Sequence, residues 1–181
     1  CINAVWLKKT GELLQDSSVK VCTVAGFPMG NSSTSSKLNE METSINNGAS
    51  EIDMVMNIGF FKDEKYNMVS DEIIRMVQNA YGKIIKVIIE SGILSKEEII
   101  TATKLVENSG AHFVKTSTGL SAFGASPEII KTIKTTLKSD TKIKASGGIK
   151  SLKQVKNLID AGANRIGTSS GIIIMKEITA K

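Results

Sequence analysis

The scarce residues narrow this sequence first. Of its 181 residues, two are cysteine, one is histidine and two are proline, and aromatic residues make up 4%. Cys1 and Cys22 fit no metal-ligand spacing and are too few for a disulfide framework. His112 is the lone imidazole, so a zinc site lacks ligands and no metal is expected. Such sparse cysteine usage suits a reducing, cytoplasmic setting. No apolar run approaches the roughly 20 residues of a membrane span. The opening residues, Cys1-Ile2-Asn3-Ala4-Val5-Trp6, lack the basic start and long apolar stretch of a signal peptide. They also lack an initiator methionine, and the chain reads as part of a longer one. The formal charge of +5 comes mainly from scattered lysines, with no Arg-rich run interleaved with aromatics. That argues against a nucleic-acid partner and leaves a solvated surface or an anionic small molecule.

With few aromatics, the core falls to Ile, Val, Leu, Ala and Met. These residues form short β-rich runs at 21–27, 51–57, 84–90, 112–117, 142–146 and 165–168, and 1–7 reads as a seventh. Helical periodicity separates them, as at 67–80, 99–108 and 129–137. Helix starts are marked by Ser95-Lys96-Glu97-Glu98 and Ser151-Leu152-Lys153-Gln154, two capping boxes, and by Ser126-Pro127-Glu128. Gly48-Ala49, Gly110-Ala111 and Gly162-Ala163 each stand where a helix ends and a strand begins. Strand-helix units of about thirty residues imply an α/β fold with a parallel sheet. A (β/α)8 barrel is expected, as one domain over 1–181, short of its first strand. An open doubly wound sheet is the alternative, but no Gly-x-Gly-x-x-Gly follows a strand.

Strands covered on both faces are normally aliphatic, yet Lys86, Lys115 and Lys144 recur every 29 residues within them. This spacing puts the three at a similar level of successive units. One such lysine can snorkel at a rim; three on neighbouring strands suggest a site. Only a neutral amine attacks a carbonyl, and a second ammonium or desolvation lowers a lysine pKa enough to supply one. Lys115 and Lys144 form such a pair, and spacing does not say which is the nucleophile. Strand alternation places Asp53 with Glu51 and Val55 on one face, where a carboxylate wants a cationic partner. Glu90 is a weaker candidate, or a rim residue paired with Lys86. His112 reads as a satisfied rim residue. Ser146-Gly147-Gly148 and Gly167-Thr168-Ser169-Ser170-Gly171 each follow a strand directly, as phosphate-binding loops do after the last strands of a barrel.

Several of these segments resemble the deoxyribose-phosphate aldolase family. Phe113-Val114-Lys115-Thr116-Ser117-Thr118-Gly119 is similar to its Schiff-base segment. Glu51-Ile52-Asp53-Met54-Val55 resembles its acidic strand, and Lys86-Val87-Ile88-Ile89-Glu90 the strand before the Schiff-base lysine. Lys144-Ala145-Ser146-Gly147-Gly148-Ile149 is similar to its second-lysine and phosphate-loop segment, and Arg165-Ile166-Gly167-Thr168-Ser169-Ser170 to its closing strand. Gly26-Phe27-Pro28-Met29-Gly30 matches a further loop. The resemblance implies reversible cleavage of 2-deoxy-D-ribose 5-phosphate to glyceraldehyde 3-phosphate and acetaldehyde, in deoxyribonucleotide catabolism. It implies Lys115 as the imine-forming lysine, with Lys144 and Asp53 tuning it and relaying protons. It implies substrate and phosphate binding by Thr118, Gly119, Gly147, Gly148, Gly167, Ser169 and Ser170. No cofactor is implied, and a homodimer or homotetramer is. The family's N-terminal helical segment and first strand have no counterpart here. Ala4 stands where a proline is usual, and Leu120 where some members carry a lysine. An inactive truncated barrel that only binds sugar phosphate or a partner subunit is the alternative, as is a Schiff-base aldolase for another phosphorylated sugar.

Overall fold

In the computed structural model, which describes residues 1–179, six strands follow one another around a sheet in sequence order. They are β1 (Cys22–Ala25), β2 (Glu51–Val55), β3 (Ile84–Ile88), β4 (Phe113–Lys115), β5 (Lys142–Ser146) and β6 (Arg165–Gly167). Every neighbouring pair is parallel. The helices are α1 (Leu7–Leu14), α2 (Thr34–Asn46), α3 (Ile58–Lys62), α4 (Tyr66–Gln78), α5 (Lys96–Asn108), α6 (Pro127–Thr136), α7 (Leu152–Asp160) and α8 (Gly171–Thr179). A helical crossover separates each pair of strands, as parallel pairing requires.

The local signals act as their chemistry predicts. Ser95 and Ser151 form reciprocal capping boxes with Glu98 and Gln154, and Ser126 caps α6 with Pro127 in its first turn. Gly48, Gly110 and Gly162 take left-handed backbone at φ 99°, 77° and 117°, turning the chain from helix to strand.

Two layers with opposite chemistry result. Ile52, Met54, Ile85, Val87, Val114, Ile143 and Ala145 point away from the sheet's concave side and pack under the helices, against Ile73, Met76, Val106, Ile130, Ile133 and Leu158. Each fully buried aliphatic side chain contributes roughly 1.5–3 kcal/mol. That outer layer supplies the cohesion and leaves the inner face free to carry charge. The inner face is curled. In a flat sheet β2 and β6 would stand about 19 Å apart, yet Arg165 Nη1 of β6 lies 2.5 Å from Glu51 Oε2 of β2. Among the described residues β1 and β6 each pair with a single strand, so the curl is open.

Two expectations change. Residues 1–7 do not form a strand. Ile2 alone behaves as strand backbone, donating to Cys22 O at 3.0 Å and accepting from Thr23 Oγ1 at 2.8 Å. The chain then turns through a 3-10 segment, Ala4–Trp6, into α1. Val5 is 80% exposed and Trp6 59%, so no packed face rewards an extended conformation there. The three strand lysines also do not share one level. Lys115 pairs in register with Lys144, but Lys86 pairs with Asp53 and Phe113, two residues lower. Equal sequence spacing does not survive the stagger between tilted strands.

Candidate active site

Six charged side chains from five successive strands converge on the inner face: Glu51 and Asp53 from β2, Lys86 from β3, Lys115 from β4, Lys144 from β5 and Arg165 from β6. Asp53 is the hub and is wholly buried. Its Oδ1 accepts from Lys86 Nζ at 2.8 Å and from the Cys22 thiol at 3.2 Å. Its Oδ2 accepts from Lys115 Nζ at 2.8 Å and Lys144 Nζ at 2.5 Å. Glu51 Oε2 lies 2.7 Å from Lys86 Nζ and is shared with Arg165, whose guanidinium also lies over the Phe113 ring.

Protonation follows from that arrangement. Burial raises a carboxyl pKa, but three ammonium groups, led by Lys115 and Lys144, outweigh it and hold Asp53 far below the ordinary range. Burial disfavours the Lys86 ammonium too, yet Asp53, Cys22 and Glu51 more than offset it, and its pKa is raised. Lys115 goes the other way. Burial lowers its pKa first, Asp53 opposes, and Lys144 adds repulsion. The cause is geometric: Lys86 holds two carboxylates, while Lys115 shares one with two other cations. Lys115 is therefore the more readily deprotonated of the two. Burial and the Asp53 charge keep the Cys22 thiol protonated. Cys1, Cys22 and Asp53 bring their ligand atoms within 4.8 Å of one another, a proximity that sequence spacing did not reveal. Both Asp53 oxygens already meet ammonium groups, so the set offers no free carboxylate donor to a metal cation.

Above this cluster lies a cavity of about 580 Å³. Lys115 and Lys144 form part of its wall, together with Thr118, Gly119, Gly147, Gly148, Gly167 and Ser169. Ser170 is absent from the lining. Its N–H bonds Thr168 Oγ1 at 2.9 Å and its carbonyl accepts from Ile174 N at 3.0 Å, which starts α8. Asp53 is not on the wall either, because the lysines cover it. Gly167 makes room for the cluster, since a Cβ there would sit 3.1 Å from Lys144 Cε. Gly147, at φ 92°, comes so close to Gly124 that a Cβ on Gly124 would lie 2.1 Å from Gly147 O.

Sequence reasoning missed three features. Lys150 joins the cavity wall from a loop, where no periodicity marks it. Glu51 and Arg165 complete the charge network, and only the strand alternation that placed Glu51 beside Asp53 hinted at it. Lys37, wholly buried on α2, pairs with Glu72 of α4 at 2.8 Å and donates to Val55 O at the end of β2. Burial pushes Lys37 down and Glu72 up despite the pairing. Glu90 is not paired with Lys86. It accepts from Thr118 N and Ser121 Oγ instead, because Lys86 is turned down toward Asp53 and Glu51. His112 is exposed and accepts from Ile85 N at 3.1 Å, a satisfied rim residue.

Known proteins share this architecture. A deoxyribose-phosphate aldolase of Bdellovibrio bacteriovorus is 51% identical over 176 residues, covering 97% of this chain and 80% of that protein. One of Dictyoglomus turgidum is 47% identical over 175 residues, with the same two coverages. A solved aldolase, QR15, superposes with a TM-score of 0.95 at 40% identity, over 99% of this chain and 80% of its own. The tetrameric deoxyribose phosphate aldolase of Aeropyrum pernix gives 0.88 at 30% identity, over 98% and 76%. Residues 2–180 match the family described as DeoC/LacD family aldolase, so this chain, with its buried lysines gathered on one carboxylate, is a member of that family and a lyase.

Proposed function

We propose that this enzyme cleaves 2-deoxy-D-ribose 5-phosphate reversibly to D-glyceraldehyde 3-phosphate and acetaldehyde, through an imine on Lys115. The observation that carries the reading is the shared carboxylate: Lys115 and Lys144 both bond Asp53 Oδ2 at the floor of the cavity. A lysine with a lowered pKa supplies the neutral amine that attacks the aldehyde carbon. Loss of water leaves the iminium. The C3 hydroxyl then loses its proton, the C2–C3 bond breaks, and its electron pair flows into the iminium to give an enamine. Protonation of the enamine at C2 and hydrolysis release acetaldehyde and restore Lys115. Lys144 holds its neighbour's pKa down, and Lys144 and Asp53 relay the protons. Two carboxylates face four cationic side chains in the network, an excess that suits an anionic substrate. Thr118, Gly119, Gly147, Gly148, Gly167 and Ser169 form the binding wall, and Lys150 adds charge there. Ser170 is assigned to the phosphate by resemblance alone.

The wider reading is a (β/α)8 barrel in one domain, of which the six strands are the major part. Its support is the inner-face contact between β2 and β6 and the superposition on the Aeropyrum pernix enzyme. The Aeropyrum pernix protein is a tetramer, and a homo-oligomer is proposed here. A cytoplasmic location fits two free thiols. No helix among the described residues is long and apolar enough to cross a membrane. The open sheet favours one competing reading, a chain that binds sugar phosphate without turning it over. Borohydride reduction in the presence of acetaldehyde, followed by peptide mass spectrometry, separates the two. A two-carbon adduct on Lys115 is expected; a folded protein without it refutes the imine.

A further inference from the structure

The stretch from Thr118 to Gly124 walls one side of the substrate cavity; its far end is backed where Phe123 packs on Gly92 and Gly124 on Gly147. Gly119, Leu120, Ala122 and Phe123 are exposed. A second cavity, of about 540 Å³, lies on the far side, against Phe123, Leu94, Ile99 and Ile129. Within the stretch itself Leu120 N bonds Thr118 Oγ1 at 3.2 Å. Among the described residues, one side chain from another element bonds residues 118–121, and it is Glu90. Its Oε2 accepts from Thr118 N at 3.1 Å and its Oε1 from Ser121 Oγ at 2.8 Å.

Glu90 is built for this contact. It is 7% exposed and takes left-handed backbone, φ 51° and ψ 54°, a conformation that residues other than Gly, Asn and Asp seldom adopt. Such strain persists only where the surroundings enforce it. Ser91 N bonds Thr116 O at 2.8 Å, which anchors the turn beside β4. The carboxylate does not line the substrate cavity, so it does not touch the reacting atoms.

We infer that Glu90 is a positioning residue whose carboxylate tethers the 118–121 stretch and so shapes the phosphate side of the cavity. The inference rests on the reading of that cavity as a sugar-phosphate site. The tether needs two hydrogen bonds and no charge. A glutamine can keep both, its oxygen accepting from Thr118 N and its amide donating to Ser121 Oγ. An alanine keeps neither.

The test compares Glu90→Ala and Glu90→Gln with the parent enzyme on 2-deoxyribose 5-phosphate and on unphosphorylated 2-deoxyribose. Glu90→Ala is expected to raise KM for the phosphate ester roughly tenfold or more, the scale of two lost buried hydrogen bonds. Its kcat, and its kcat/KM on the unphosphorylated sugar, stay near the parent values. Glu90→Gln stays near the parent on both substrates. Equal losses on both substrates, no loss on either, or a Glu90→Gln as impaired as Glu90→Ala would overturn the inference. Amide hydrogen exchange keeps this separate from the imine chemistry. Exchange over residues 118–124 is expected to accelerate in Glu90→Ala but not in Glu90→Gln, whether or not acetaldehyde is trapped on Lys115 in the parent. Unchanged exchange in Glu90→Ala overturns the tether, whereas a missing adduct in the parent overturns only the reading of the site.

Discussion

Replacing Lys144 by methionine removes a charge while keeping most of the side-chain volume. Lys115 and Lys144 bond the same Asp53 oxygen at 2.8 and 2.5 Å, so their ammonium groups stand about 4–5 Å apart. At an effective dielectric constant of about 20, repulsion at that distance is roughly 3–4 kcal/mol. Water entering beside the shorter side chain screens part of it, which leaves about 1.5–3 kcal/mol. The sign is fixed. Without the Lys144 cation, the Lys115 ammonium is easier to keep, its pKa rises, and less neutral amine is present at pH 7. The Lys144→Met enzyme is expected to form the acetaldehyde imine about ten- to hundredfold more slowly at pH 7, and to recover toward alkaline pH. The assay is the rate of borohydride-trapped adduct on Lys115 against pH, which isolates the attack from later proton transfers. An acidic limb at the parent's pH with only a lower plateau would refute the electrostatic role and leave Lys144 a proton carrier alone.

Asp53→Asn strands three buried ammonium groups and should cost about 3–5 kcal/mol in urea unfolding; an unchanged midpoint would contradict the hub. The Asp53 carboxyl is depressed in the fold, so its stabilisation is full above about pH 4–5 and is lost as pH falls further. Thermal unfolding of the parent from pH 6 to 3 should show that loss, and Asp53→Asn should show a flatter profile. Away from the site, Lys37→Met leaves the buried Glu72 without its cationic partner, with only Asn57 N and Thr34 Oγ1 donating to it, and should also cost about 3–5 kcal/mol. The Lys37→Met, Glu72→Leu double variant should regain at least half of it, whereas additive costs would show that the pair does not act as a unit. Gly124→Ala places a Cβ 2.1 Å from Gly147 O. It should raise KM for the phosphorylated sugar with little change in the trapping rate, and an unaltered KM would mean the two loops move independently.

Much of this protein follows from local chemistry. Helix caps at Ser95, Ser126 and Ser151 and the turns at Gly48, Gly110 and Gly162 act over a few residues, so the sequence spells them out. The strand lysines were legible because a cation in an otherwise aliphatic strand is expensive and calls for a reason. Alternation alone put Asp53 and Glu51 on one face. Partnership was not legible. Lys86 and Lys115 look equivalent in sequence, yet strand stagger drops Lys86 one layer, gives it both carboxylates and raises its pKa while that of Lys115 falls. Glu90 reads as a mate for Lys86 until the curl of the sheet sends that lysine inward and leaves the carboxylate to Thr118 and Ser121. The Lys37–Glu72 pair, 35 residues apart on separate helices, has no signature at all. Short-range preferences set the elements, whereas the register, the curl and the packing of helices on the sheet decide which charges meet, and only the folded chain fixes those distances.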